Sequence, residues 1–185
     1  AVGRDTEDGL DIRVHPVFLP QTHPLGSVSG VFNAIFVRGN VIGDVMFYGR
    51  GAGSLPTASA VTSDIIEIVR DIVSGTTGRM KYKIGEKKKL CPLEKTKSSY
   101  YLRLVVADEP GVLGEIAATF GRADVSLKSV IQARRTEDGH AEIVAVTHVV
   151  PHAAASAAVK ALEVLPVVRE VRSLIRVADG REDTL

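Results

Sequence analysis

Two short segments carry most of the chemistry that this sequence offers. Asp108-Glu109-Pro110-Gly111-Val112-Leu113 closes an apolar stretch and opens a helical pattern. Pro110 and Gly111 suit a strand-to-helix corner. The backbone N–H groups of Gly111, Val112 and Leu113 then fall in a first helical turn, where internal acceptors are lacking, and are free to bind a carboxylate. Asp108 can accept a ligand ammonium, so the turn suits a zwitterionic amino acid. Asp108 also reads as a plain helix cap, and residue chemistry alone leaves both readings open. The second segment is Gly49-Arg50-Gly51-Ala52-Gly53. Alternating glycines let backbone approach a ligand closely, and a following helix N-terminus favours negative charge. The segment is not a dinucleotide fingerprint. Ser54 stands where a third glycine is expected, and no βαβ unit completes after the helix. Such a corner also serves simply as a packing device.

Other reactive side chains are dispersed. His15, His23, His140, His148 and His152 form no spaced cluster. His148 and His152 are four apart, but Pro151 between them marks a strand-to-helix corner, so a shared helical face and a metal site are not expected. Cys91 is the only cysteine, which excludes an intramolecular disulfide and a CxxC metal site. That usage fits a reducing cytoplasmic compartment. The chain has 185 residues, a formal net charge of +1 and 45% hydrophobic residues. It has ample apolar content for a core, and as a whole it is no polyanion binder. No apolar run approaches the roughly 18 residues that span a bilayer. The start, Ala1-Val2-Gly3-Arg4-Asp5, is no signal peptide, lacks Met and runs almost at once into a strand pattern, so further residues upstream are expected.

The elements that must position the two segments fall on either side of a basic joint. Gly75–Ser99 holds Arg79, Lys81, Lys83, Lys87, Lys88, Lys89, Lys95 and Lys97 against Glu86 and Glu94. With Gly75, Gly78, Gly85 and Pro92 it reads as an exposed linker. Tyr82 is its only aromatic residue, and it shows no nucleic-acid docking motif. Before it, Leu10–Val17 alternates as a strand with Ile12 and Val14 on one face. Gly30–Arg38 and Val41–Tyr48 are strands around a Gly39-Asn40 hairpin turn. A helix follows, capped by Ser54, with Pro56 in its first turn and Val61, Ile65, Ile68, Val69 and Ile72 as its apolar face. After the joint come a strand over Tyr100–Ala107 and a helix with Val112, Leu113, Ile116, Ala117 and Phe120 facing inward. Strands over Val125–Arg134 and Glu142–Val149 join through Glu137-Asp138-Gly139. A helix over His152–Leu165 stops near Pro166, and a last strand runs Val167–Val177 with Val168, Val171 and Ile175 prominent. This βαββαβ order predicts a ferredoxin-like sandwich with two helices on one face of the sheet.

The order of these elements, with Asp108-Glu109-Pro110-Gly111-Val112-Leu113-Gly114-Glu115-Ile116 at the first corner, resembles an ACT domain, whose ligand loop runs Asp-x-x-Gly-Val-Leu. The resemblance implies dimerisation by sheet pairing and an amino-acid site at Asp108, Gly111, Val112, Leu113 and Asp124. The family often carries Asn-Ile where this chain has Asp124-Val125. His23-Pro24-Leu25-Gly26-Ser27-Val28-Ser29-Gly30-Val31-Phe32-Asn33-Ala34, followed by Tyr48-Gly49-Arg50-Gly51-Ala52-Gly53-Ser54-Leu55-Pro56-Thr57, resembles homoserine dehydrogenase. In that family the glycine loop meets the nicotinamide cofactor, which carries over to Gly53, with Gly51 and Ala52 beside it.

The two resemblances together imply an α+β chain: a partial catalytic-domain sheet with a helix over 1–75, a basic linker over 76–99, an ACT domain over 100–178 and a tail over 179–185. They imply NAD(P)-dependent interconversion of homoserine and aspartate semialdehyde in a full-length parent, threonine as effector, and at least a homodimer. Neither nucleic acid nor membrane is an expected partner. The family's nucleotide-binding domain and catalytic lysine have no counterpart in these residues. The chain alone is therefore expected to bind no cofactor and to be inactive, with no catalytic residue of its own. The alternative is an ACT oligomerisation module without effector.

Overall fold

A computed structural model describes residues 1–77, 85, 87–135 and 139–178. Joint residues 78–84 and 86, the expected turn residues Glu137 and Asp138, and the tail lie outside the described residues. The elements run β1 (Val2–Thr6), β2 (Gly9–Arg13), β3 (Val17–Phe18), a 3₁₀ turn (Pro24–Ser27), β4 (Phe32–Gly39), β5 (Gly43–Arg50), α1 (Ser54–Val73), a second 3₁₀ turn (Leu93–Lys95), β6 (Lys97–Ala107), α2 (Val112–Arg122), β7 (Leu127–Arg135), β8 (His140–Thr147), β9 (Val150–Pro151), α3 (His152–Glu163) and β10 (Val168–Val177). They form two compact units, one of residues 1–19 with 88–185, the other of residues 20–87.

The first unit is built on the βαββαβ order. Strands β10, β6, β8 and β7 lie side by side in that sequence and pair antiparallel. This is the ferredoxin-like arrangement, reached by two helical crossovers. Leu102, Leu104 and Val106 of β6, Ile143 of β8, Ile116 and Phe120 of α2, and Ala158 and Leu162 of α3 are buried together. Small alanines on α3 let it pack close to the sheet, while Phe120 fills the space beneath α2. The expected inward face of α2 needs correction. Val112, Ile116 and Phe120 are buried, but Leu113 and Ala117 are exposed, and Thr119 is buried in their place. Thr119 tolerates burial because its hydroxyl donates to the Glu115 carbonyl, 2.9 Å away.

A fifth strand joins this sheet from far away in sequence. β3 pairs parallel to β10, Val17 opposite Arg176 and Phe18 opposite Val177. The expected single strand over Leu10–Val17 is therefore two, β2 and β3. Its alternation holds, and the face of Ile12 and Val14 is the outer one: they are 63% and 86% exposed, while Asp11 is 4% exposed. The polar phase faces inward because Asp11 and Arg13 form an ion pair there. The end of the basic joint is also no free linker. Leu10 N–H donates to the Lys89 carbonyl and Cys91 N–H to the Leu10 carbonyl, both at 2.9 Å. Lys88 pairs with Asp5, and Lys95 with Asp8. Gly9, at φ +119°, is required here, since a Cβ would meet the Lys89 carbonyl oxygen at 2.4 Å.

The second unit is the β4–β5 hairpin with α1. The pairing runs from Phe32 opposite Arg50 to Gly39 opposite Gly43. The turn is thus Asn40-Val41-Ile42, not Gly39-Asn40, and the positive φ of +72° falls on Gly43. Every residue of the expected apolar face of α1 is at least half exposed: Val61, Ile65, Ile68, Val69 and Ile72.

Candidate functional site

The glycine corner connects β5 to α1. Gly53, not Ser54, is the N-cap, with φ 126° and ψ 142°, a conformation open essentially only to glycine. Its carbonyl accepts from Thr57 N–H at 3.2 Å and so closes the first helical turn. Pro56 sits in that turn as expected, and its Cδ would lie 3.2 Å from a Cβ at position 53. Gly51 N–H donates to the Val31 carbonyl at 3.0 Å, and a Cβ on Gly51 would fall 1.8 Å from Asn33 Nδ2. Asn33 stands opposite Gly49 in the hairpin. The backbone at 51–53 is therefore presented bare. It lines an open concavity with Ser54, Thr57, Ala58, Val61 and Thr62.

This concavity brings together Gly51, Ala52 and Gly53, the three positions expected to meet a cofactor. The N–H groups of Ser54 and Leu55 are in the first turn and have no intrahelical acceptor by position, which gives the corner a positive end. A bare backbone, two donors and a shallow apolar wall fit the edge of a flat polar ring such as a nicotinamide. Residue type alone does not single out Asn33 for a place at this corner. Its signal is the Phe32-Asn33-Ala34 stretch, whose register sets it opposite Gly49 while its side chain reaches Gly51. His23, a little earlier in the chain, caps the 3₁₀ turn by accepting Leu25 N–H at 3.1 Å, and packs edge-on against Phe36. Its role there is structural.

The second corner connects β6 to α2. Gly111 is the α2 N-cap in the left-handed region, at φ 94°. Asp108 N–H donates to the Gly139 carbonyl at 3.2 Å, and Asp108 Oδ1 accepts from Gln132 Nε2 at 3.3 Å. Asp108 thus reaches toward β7 through Gln132. Of the three N–H groups expected to be available, Val112 N–H has an internal acceptor, the Glu109 carbonyl at 3.4 Å. Gly111 and Leu113 keep the first-turn positions. Asp124 is the one described non-glycine residue with positive φ, at 58°. It follows the C-cap of α2, a position that favours glycine or asparagine and admits aspartate. Asp124 thus has a backbone duty that is independent of any ligand.

A third cluster carries no motif. Arg176, Tyr100 and His152 meet at the start of α3: Arg176 Nη1 donates to Tyr100 Oη at 2.8 Å, and Tyr100 Oη lies 3.1 Å from His152 Nδ1. Burial raises the Tyr100 pKa. Burial first, then the Arg176 charge, lowers that of His152. These residues lie 24 to 76 positions apart, so no spacing rule finds them. Among the described residues, no group of three or more His, Cys, Asp or Glu could hold a metal ion. No described helix is long and apolar enough to cross a membrane.

Comparison with known proteins agrees with both corners. Residues 2–66 match the family Homoserine dehydrogenase, and residues 100–167 match the ACT domain. A homoserine dehydrogenase of Neisseria gonorrhoeae is 38% identical over 180 residues, which is 95% of this chain and 41% of that protein. One from Synechocystis is 43% identical over 180 residues, with the same shares. The crystal structure of a homoserine dehydrogenase from Thiobacillus denitrificans superposes with a TM-score of 0.85 at 31% identity, over 96% of this chain and 41% of that one. The chain spans about two-fifths of the length of these relatives. With both matches in the same order and both corners formed, the chain carries a homoserine dehydrogenase segment over 2–66 followed by an ACT domain over 100–167.

Proposed function

We propose that this chain supplies part of the cofactor wall and the amino-acid-sensing module of an NAD(P)-dependent homoserine dehydrogenase. The whole enzyme interconverts L-homoserine and L-aspartate 4-semialdehyde. Residues 1–75 act as part of the catalytic domain, 76–99 as the joint and 100–178 as the ACT module. The observation that carries this reading is the glycine corner. Gly53 adopts a glycine-only conformation, and Gly51 leaves no room for a Cβ beside Asn33. Gly51, Ala52 and Gly53 would hold the nicotinamide edge, and that ring, when bound, would supply the hydride chemistry. The chain's own residues orient that ring and exclude water from one side. The proton transfer falls to residues outside this chain, so the purified chain should oxidise no homoserine with either nicotinamide cofactor. Clear turnover in a spectrophotometric assay would sink this division of labour.

The ACT module binds threonine at the Asp108–Leu113 corner in a homo-oligomer, and the protein works in the cytoplasm. Asp108 receives the ammonium group and the Gly111 and Leu113 N–H groups receive the carboxylate. Loss of one charge-assisted contact is worth about 1.5–3 kcal/mol. Asp108→Ala should therefore weaken threonine binding by roughly tenfold or more in calorimetric titration. A confirmed dimer that gives no heat with threonine or any related amino acid would assign the ACT sheet to oligomerisation alone.

A further inference from the structure

A side-chain amide lies against the bare backbone of the glycine corner. Asn33 stands opposite Gly49 in the β4–β5 pairing. A Cβ built on Gly51 falls 1.8 Å from Asn33 Nδ2, 2.3 Å from its Cγ and 3.0 Å from its Cβ. The carboxamide therefore occupies the space that a side chain at position 51 would need. Gly51 is also held through its backbone, since its N–H donates to the Val31 carbonyl at 3.0 Å. Val31 and Asn33 thus grip one residue, the first by its carbonyl and the second by its side chain. That residue, Gly51, lines the concavity.

Strand propensity does not account for an amide at this position, because asparagine is depleted in strands. Nor does the surrounding face account for it. Side chains alternate along a strand, so Asn33 shares its side of the hairpin with Ile35 and Val37 of β4 and with Val45 and Phe47 of β5, all apolar. Asn33 is the polar member of this row, and it stands at the end next to the glycine corner. Its Nδ2 carries two hydrogens and its Oδ1 two lone pairs. Among the described residues none of these enters a hydrogen bond, and Asn33 is exposed. Packing on Gly51 explains the shape of the side chain and leaves its donors and acceptor available to a ligand.

We propose that Asn33 reads the carboxamide of the nicotinamide ring, with Nδ2–H donating to the carboxamide oxygen and Oδ1 accepting from its NH2. The inference rests on the proposed cofactor wall and adds to it the residue that recognises the ring's substituent. Amide chemistry favours this part of the cofactor over the rest. Asn33 is uncharged, so it has little preference for a phosphate, which cationic side chains hold more strongly. A carboxamide presents the matching donor and acceptor side by side, and two amides satisfy each other as one planar pair. The backbone at 51–53 can wall a ring but does not fix its rotation in the plane. A paired carboxamide does, because it is bonded to one ring carbon. Orientation of the ring is what the protein adds to the cofactor's own chemistry.

The test is calorimetric titration, without substrate, of a full-length enzyme carrying this segment. The two titrants are its preferred oxidised nicotinamide cofactor and the 3-acetylpyridine analogue of that cofactor. In the analogue a methyl group replaces the carboxamide NH2, so it offers Asn33 an acceptor but no donor. Asn33→Leu keeps roughly the size of the side chain and removes the amide. It should weaken the natural cofactor by roughly tenfold, the scale of a pair of neutral hydrogen bonds, and the analogue by only about threefold. Equal weakening of the two overturns the proposal and leaves Asn33 as packing for Gly51, and so does unchanged affinity for the natural cofactor. If Asn33→Leu fails to fold, Asn33→Ala, which demands no space, should show the same inequality, and equal weakening there decides against the proposal. Gly53→Val separates the proposal from the reading beneath it, because loss of the backbone wall should weaken both titrants alike. If it does so while the Asn33 variant does not discriminate, the wall stands and the recognition of the carboxamide falls. If Gly53→Val leaves both affinities unchanged, the wall falls, and the role of Asn33 with it.

Discussion

Gly53→Val, placed in a full-length enzyme carrying this segment, should lower kcat/KM for the nicotinamide cofactor by about 10²-fold, the scale of an ångström-sized misplacement at a reacting centre. The cause is backbone, not bulk alone. Val is stiff at its β-carbon and has no access to φ 126°, ψ 142°. The chain must rotate away, and the new Cβ also presses on Pro56 Cδ. The 51–53 backbone and the Ser54 and Leu55 N–H groups then leave the concavity together. Gly49→Ala is the control. A Cβ at position 49 would meet open space, so that variant should keep its kinetics. If Gly53→Val also keeps them while folded, Gly53 is not part of the cofactor wall.

Phe120→Ala should cost about 3–5 kcal/mol of stability, the usual loss for a large aromatic in a packed core. Phe120 is 1% exposed and lies against the sheet with Ile116 and Leu162. Ala155 and Ala158 of α3, in the same core cluster, have no side-chain reach with which to refill the void. Urea unfolding followed by far-UV circular dichroism checks this through the midpoint at constant m-value. A loss under about 1 kcal/mol would mean that α2 collapses into the space, contrary to close packing.

The ACT half is legible from the sequence because its signals are local. β6 and β8 are apolar and branched, α2 keeps a helical period from Val112 to Phe120, and Pro110-Gly111 marks the corner. The glycine corner is legible for the same reason, and the three glycine-segment residues do line one concavity. What escapes is long-range or a matter of phase. β3 pairs with a strand some 160 residues away, and a two-residue pairing leaves no periodic trace. In β2 the buried phase is polar, so a rule that assigns apolar residues to the interior picks the wrong face. Residue type places Leu113 inward, yet the α2 stripe runs 112, 116, 119, 120, and Leu113 falls beside it. The role of Asp124 comes from a backbone angle, which residue type suggests but does not fix.

The chain leaves its first unit after Leu19 and re-enters it at Lys88. The unit that carries the ACT domain is therefore discontinuous, and residues 20–87 are an excursion from it. A cut anywhere in the excursion leaves two polypeptides that still share one sheet through β3 and β10 and one strap through Leu10 and Lys89. Conversely, an ACT module trimmed to begin at Lys97 loses its β3 partner and bares the backbone groups at the end of β10, an open edge of the kind that recruits foreign strands. Excising the ACT module with its β10 along the chain therefore separates β10 from a strand that lies within the homoserine dehydrogenase match.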